Sequence, residues 1–261
     1  MADFDPNKKK STFFKYPPKA PENKEIVFGV QSVLETIRSG KEIEKILVQR
    51  EMGNIELLEF ARLKNIPVQK VPTEKLDRVT RKNHQGVIAF VSAINYAKMD
   101  VVVPGIYEKG EVPLIIILDR ITDVRNFGAI ARTAECAGVQ LIIMPSKGGA
   151  QINSDAMKTS SGALNFIPVA REDDLVKTVT YLQGCGIQVV ACTEKAEKDM
   201  YAIDFKVPTA LVLGSEEDGI SDEILRKVDA YATIPQLGRV GSLNVSVASG
   251  VVLYEAIRQR K

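Results

Sequence analysis

The chain has 261 residues, 45% of them hydrophobic and 26% charged, which suits one large soluble domain or two modest ones. A formal net charge of +2 excludes a bulk basic field, so any contact with nucleic acid must come from local patches. Apolar runs such as "PLIIIL" and "LIIMP" have strand length and cannot span a bilayer.

Residues 1 to 22 hold Lys8, Lys9 and Lys10, four prolines and few aliphatics. They read as a mobile basic tail, either simply solvated or touching phosphates, and they lack the apolar stretch of a secretory signal. Cys136, Cys185 and Cys192 lie in apolar surroundings without CxxC or histidine spacing. Buried free thiols in a reducing cytoplasm are expected, with neither disulfides nor a metal.

Residues 23–95 read as a compact α/β unit. "IVFGVQSVLETIRSG" is a strand, a turn and a helix ended by Gly40; "IEKILVQR", "IPVQKVP" and "GVIAFVSA" are strands around helical "NIELLEFARLKN" and "TEKLDRVT". His84, the only histidine, falls in a turn before Gly86. Residues 96–112, with Pro104, Gly105 and Gly110, resemble a linker with room for a short helix.

From residue 113 onward, strands at 114–118, 140–144, 187–192, 210–213 and 231–234 alternate with helices near 127–137, 173–183, 221–228 and 244–258. Buried strands alternating with helices predict a parallel sheet covered on both faces, with ligands at the carboxyl ends of its strands. Three loops at those ends carry candidate chemistry. The first, "RITDVRNFGAIARTAECAGV", places Asn126 in a turn, and Gly128 and Arg132 on one helix face. That glycine would clear space beside the guanidinium for a ligand; an N-cap asparagine and a surface arginine are an equal alternative. The second, "LVLGSEEDGIS", brackets Glu216, Glu217 and Asp218 between Gly214 and Gly219. Helix capping accounts for Asp218 but not for Glu216. The third, "IPQLGRVGSLNVSVASG", is both small and apolar, which predicts backbone packed closely on backbone or ligand. Ser242 is the expected N-cap there, and Tyr254 and Phe28 read as core. Neither GxGxxG nor GxxxxGK[ST] is present, which argues against the usual dinucleotide turn and a P-loop.

"NFGAIARTAECAGV", "LVLGSEEDGIS" and "IPQLGRVGSLNVSVASGVVLYEAIRQR" resemble, in order and spacing, the three motifs of the SpoU/TrmH family of RNA ribose 2′-O-methyltransferases. "FGVQSVLETI" and "HQGVIAF" look like the ribosomal-protein-like substrate-binding domain of the branch that methylates a guanosine ribose in 23S ribosomal RNA. The resemblance implies a parallel-sheet α/β domain with a deep trefoil knot over residues 113–261, and a smaller α/β domain that binds RNA. It also implies S-adenosyl-L-methionine as cofactor, RNA as partner, a cytoplasmic homodimer and no metal. By motif position, Asn126, Arg132, Glu216, Ser242 and Asn244 match the polar active-site set, and Gly214, Ile234 and Leu243 match the cofactor pocket. Glu217 departs from the glycine usual after the motif-two glutamate, which puts that loop's geometry in question. Transfer RNA as substrate, or a non-catalytic RNA-binding or ribosome-assembly role on the same fold, are the alternatives.

Overall fold

The computed structural model describes residues 26–194, 196 and 199–261, so the basic tail read at residues 1–22 lies outside the described residues. The N-terminal unit runs β1 (Ile26–Phe28), α1 (Val30–Arg38), β2 (Ile43–Gln49), α2 (Ile55–Leu63), β3 (Val68–Val71), α3 (Thr73–Val79) and β4 (Val87–Val91). Its sheet has the order β1-β4-β2-β3, with β4 antiparallel to both neighbours and β2 parallel to β3. Alternation sends Ile46 and Val48 to a core with α1 and α2, while Leu47 and Ile88 face Leu76 of α3. One extra residue, Glu44, interrupts the β2–β4 register between Ile43 and Lys45.

His84 is buried in the turn before β4. Its Nδ1 accepts the Gly86 N–H at 3.0 Å, which leaves Nε2 to donate to Asp77 at 3.0 Å. Both ring nitrogens are thus used in holding the turn.

The segment read as a linker contains α4 (Met99–Glu108), whose Met99, Val103 and Ile106 are buried. It packs on the second sheet despite Pro104 inside it. The C-terminal unit follows with β5 (Leu114–Leu118), α5 (Val124–Cys136), β6 (Leu141–Pro145), α6 (Ser154–Thr159), β7 (Val169–Glu172), α7 (Leu175–Gly184), β8 (Gln188–Cys192), β9 (Thr209–Leu213), α8 (Asp222–Leu225), β10 (Ala230–Ala232) and α9 (Val245–Arg260). The strands are all parallel in the order β10-β8-β9-β5-β6-β7. Ile116 and Leu118 of β5 face α5 and α9, and Ile115 and Ile117 face α4 and α7. Each buried aliphatic of this kind contributes roughly 1.5–3 kcal/mol, so the two-sided core fixes the sheet. At the end of α9, Arg260 donates to the carbonyls of Phe205, Val207, Val112 and Pro113 at 2.8–3.0 Å.

Several expectations need correction. The helix expected at 221–228 is only Asp222–Leu225, because Asp229 bonds Val189 through both its N–H and its carboxylate and draws the chain into β10. Tyr254 is 54% exposed rather than core, and Cys136 is exposed rather than buried. Among the described residues no helix is long and apolar enough to cross a membrane.

Candidate active site

The loops after β8, β9 and β10 enclose a cleft of about 620 Å³ at the carboxyl ends of the parallel strands. Its walls include Leu213, Gly214, Glu216, Ile234, Ser242, Leu243 and Asn244. Six of the eight residues predicted for the site therefore line one cavity.

Asn126 joins this group by hydrogen bonds. Asn126 Nδ2 donates to Glu216 Oε1 at 3.0 Å, and Asn244 Nδ2 donates to the same oxygen at 2.5 Å. A further bond runs from Asn244 Nδ2 to Asn126 Oδ1 at 3.1 Å. Each predicted motif thus contributes one corner of a triangle, and a carboxylate oxygen with two amide donors closes it. β5 and β9 are neighbours in the sheet, so the loops that carry Asn126 and Glu216 start side by side.

The helix starts differ from expectation. Asp123, not Asn126, caps α5, accepting the N–H groups of Arg125 and Asn126. This leaves the Asn126 amide free to reach Glu216. Asn244, not Ser242, caps α9 and accepts the Ser246 N–H at 3.0 Å. Ser, Asn and Asp cap comparably, so composition cannot choose among them. Ser242 is exposed on the cleft wall.

Gly128 is buried against α6, not open to a ligand. A Cβ there would lie 2.7 Å from Thr159 Cβ and 3.1 Å from the Ala156 carbonyl. One turn on along that face, Arg132 emerges into solvent, with no hydrogen bond or ion pair among the described residues. It is not among the residues that line the cleft.

Gly214 serves the loop's own geometry. A Cβ there would sit 2.1 Å from the Gly219 carbonyl carbon, so only glycine lets the loop close on itself. Ser215 and Gly219 exchange backbone hydrogen bonds at 3.1 and 3.0 Å, and Ser215 Oγ accepts the Asp218 N–H. Glu217 lies exposed at the tip without a positive φ, so its side chain does not oppose the turn.

Two residues at this loop were not anticipated. Asp119, buried at the end of β5, accepts the Ser221 N–H at 2.7 Å. Arg120, at φ 58°, donates to Asp218 and to the Gly219 carbonyl. An Asp-Arg pair directly after a buried parallel strand was the available signal. Cys192 also lines the cleft, and burial pushes its thiol up to about 12, which favours the SH form over the thiolate.

The third loop also corrects an expectation. Residues 235–244 are exposed, and added Cβ atoms at Gly238 or Gly241 would meet nothing within 4 Å. Val245 is buried, but Val247 is 52% exposed. Small residues here leave the backbone open rather than packed.

Comparisons with known proteins show which family the chain belongs to. The profile of the SpoU rRNA Methylase family matches residues 113–254, and that of RNA 2′-O ribose methyltransferase substrate binding matches residues 26–97. YacO of Bacillus subtilis, assigned to the TrmH family of tRNA/rRNA methyltransferases, is 36% identical over 237 residues, covering 90% of this chain and 95% of its own. The structure of the AdoMet-bound rRNA methyltransferase from Sinorhizobium meliloti superposes with a TM-score of 0.58 at 28% identity, over 89% of this chain and 86% of that one. The TrmH/SpoU tRNA modifying enzyme of A. aeolicus superposes at 0.53 with 32% identity, over 62% of this chain and 83% of its own. With a three-loop cleft, a triangle drawn from three motifs and a profile spanning more than half its length, the chain belongs to the SpoU family of RNA methyltransferases.

Proposed function

We propose that this protein transfers a methyl group from S-adenosyl-L-methionine to the ribose 2′-OH of a guanosine in 23S ribosomal RNA. The observation that carries this reading is the Asn126–Glu216–Asn244 triangle at the edge of the cleft. The cleft residues fit the cofactor's adenosine: Leu213, Ile234, Val245 and Ala248 offer apolar walls. The main-chain N–H groups of Ile234 and Leu243 carry no hydrogen bond among the described residues. Such groups can read a purine edge without an acidic ribose ligand. When bound, the cofactor supplies an electrophilic methyl on a sulfonium.

The chain's own residues orient the nucleophile. Glu216 ties the second loop to the first and third, so the ribose meets a preformed surface. Asn126, Ser242 and Asn244 offer amide and hydroxyl groups to that ribose. A guanidinium is a poor general base, so the role of Arg132 is to clamp an RNA phosphate and hold the 2′-OH in line. Gly214, Ile234 and Leu243 hold the adenosine side of the cleft.

The architecture supports the remaining parts of the reading. Residues 23–95 act as the RNA reader, residues 96–112 as the joint and residues 113–261 as the methyltransferase with a trefoil knot, after a basic tail at 1–22. Val247, Val251 and Tyr254 recur on one face of α9 and are exposed or half-buried, and Leu237 and Val240 in the preceding loop are exposed as well. An apolar stripe of this kind suits a second copy of the chain, giving a homodimer. A cytoplasmic location follows from the substrate. Ribosomal rather than transfer RNA is favoured by coverage: the S. meliloti rRNA methyltransferase superposes on both domains, the A. aeolicus tRNA enzyme on 62% of the chain.

The test is to map 2′-O-methyl sites in RNA from cells lacking the protein and to restore them with purified protein and S-adenosylmethionine. Loss of one guanosine methylation in 23S rRNA is the expected result. A site lost from transfer RNA would instead establish the alternative substrate. No lost site and no transfer in vitro would leave only a non-catalytic RNA-binding role.

A further inference from the structure

Glu44 is a carboxylate with 3% exposure in a strand of the N-terminal sheet, and no part of the proposed chemistry uses it. It is the extra residue of the β-bulge in β2, the kind of feature that re-aims a side chain out of the normal alternation. The bulge turns Glu44 toward the C-terminal domain. Its Oε1 accepts Tyr96 OH at 2.5 Å and the Ile152 N–H at 3.3 Å, and its Oε2 accepts Arg171 Nη2 at 2.5 Å.

These three donors belong to three different segments. Tyr96 leads into α4, Ile152 precedes α6 and Arg171 lies on edge strand β7. The Arg171 guanidinium also stacks 4.3 Å from the Tyr96 ring. Burial, and then the charge of Glu44, holds the Tyr96 hydroxyl well above its usual pKa, so it remains a donor. Backbone pairing continues the contact: Ala93 N bonds Ile152 O, and Ala97 N bonds Val169 O.

The path onward reaches the site. Ile152 is followed by Asn153, which caps α6, and α6 packs against Gly128 of α5. That helix carries Asn126 and Arg132. A buried ion pair is weak evidence for stability, since an apolar set of equal volume often serves as well. Three directional donors do something apolar packing does not: they fix one orientation.

We propose that Glu44 is a positioning residue for methyl transfer. It locks the RNA-reading domain in the single orientation that delivers the target ribose to the helix bearing Arg132. This rests on the methyltransferase reading above.

The experiment uses the full chain, in vitro transcribed 23S rRNA and S-adenosylmethionine, with Glu44→Gln and the paired Glu44→Leu/Arg171→Met variant. Calorimetry gives cofactor affinity, filter binding gives RNA affinity, and single-turnover transfer at saturating RNA gives the chemical rate. Glu44→Gln keeps both affinities but loses rate by about 100-fold, the scale expected for a misplaced reacting group. The paired variant, which removes the buried charge, regains thermal stability without regaining rate. Amide exchange at Ile152 and Ala97 rises in both. A normal rate in Glu44→Gln, or a rate that recovers with stability in the paired variant, overturns the positioning role and leaves the function reading standing. A wild-type chain that methylates no RNA overturns both.

Discussion

The two loops that face each other across the cleft are built in opposite ways. The loop after β9 is pinned at every step: Gly214 against the Gly219–Ile220 peptide, Ser215 paired with Gly219, Asp119 on Ser221 and Arg120 on Asp218. The loop after β10 runs exposed from residue 235 and is fixed only on reaching Asn244. One wall is therefore preorganised by the chain itself, and the other is left open. Preorganisation lowers the cost of binding, while an open wall admits the ligand.

The comparison can be broken most severely at its rigid side. Gly214→Val would drive a side chain into backbone 2.1 Å from its Cβ, so the pinned loop cannot form. Calorimetry with S-adenosylmethionine should detect no binding, while amide protection in residues 26–91 stays normal. Retained affinity would mean that the pinned wall is dispensable.

Arg132→Ala tests the chemistry without touching either wall. Because the Arg132 side chain makes no hydrogen bond among the described residues, stability should move by less than about 0.5 kcal/mol. Turnover should fall by roughly 10²–10³-fold, as for removal of a single charge-stabilising group. A variant with full turnover would remove Arg132 from the mechanism.

Asn244→Ala loosens the one point where the open wall is held. It removes an N-cap worth about 1 kcal/mol and two donor contacts worth about 1 kcal/mol each. Denaturant unfolding should report a loss of up to about 3 kcal/mol, and single-turnover transfer by the protein that stays folded should fall by roughly tenfold or more. A stability loss with an unchanged transfer rate would reduce the triangle to a structural brace.

Gly241→Ala sharpens the contrast with the smallest effect. Gly241 has open space around it and no positive φ, so alanine should be neutral or add about 0.4–1 kcal/mol by restricting the unfolded chain. Thermal unfolding of the dilute protein measures this. A large loss of cofactor affinity or of dimer in the same variant would place a tight partner against this wall.

How much of this was legible depends on how local the cause is. β5 was read to the residue because "LIIIL" is continuous and buried on both faces. β7 was missed because "VARE" is a four-residue strand at the edge of the sheet, with two polar residues. The six residues of α6, "SDAMKT", are too short and polar for a helical period to register. The members of the triangle were legible as motif positions, but the caps were not: the alternative reading of Asn126 as a cap falls on Asp123 instead, and the cap expected at Ser242 is Asn244. Asp119 showed only its place after a strand, and Glu44 showed nothing, for a different reason. Their partners lie 52 to 127 residues away, and a charge in or after a strand reads as solvent-facing until those distant segments are in place.

The four-carbonyl clamp at Arg260 has a consequence for how the protein is made. It fastens α9 to Val112 and Pro113, at the opposite end of the C-terminal domain's sequence. Val252, Leu253 and Ala256 of the same helix cover one face of a sheet whose strands have all left the ribosome before them. The N-terminal sheet closes with Val91 and can fold as it emerges. At the usual pace of translation, roughly ten to thirty seconds separate Val91 from Arg260. During that interval the nascent chain holds a finished N-terminal domain beside a sheet whose strip under α9 is still bare. The interval before Arg260 emerges is therefore the nascent chain's most aggregation-prone moment.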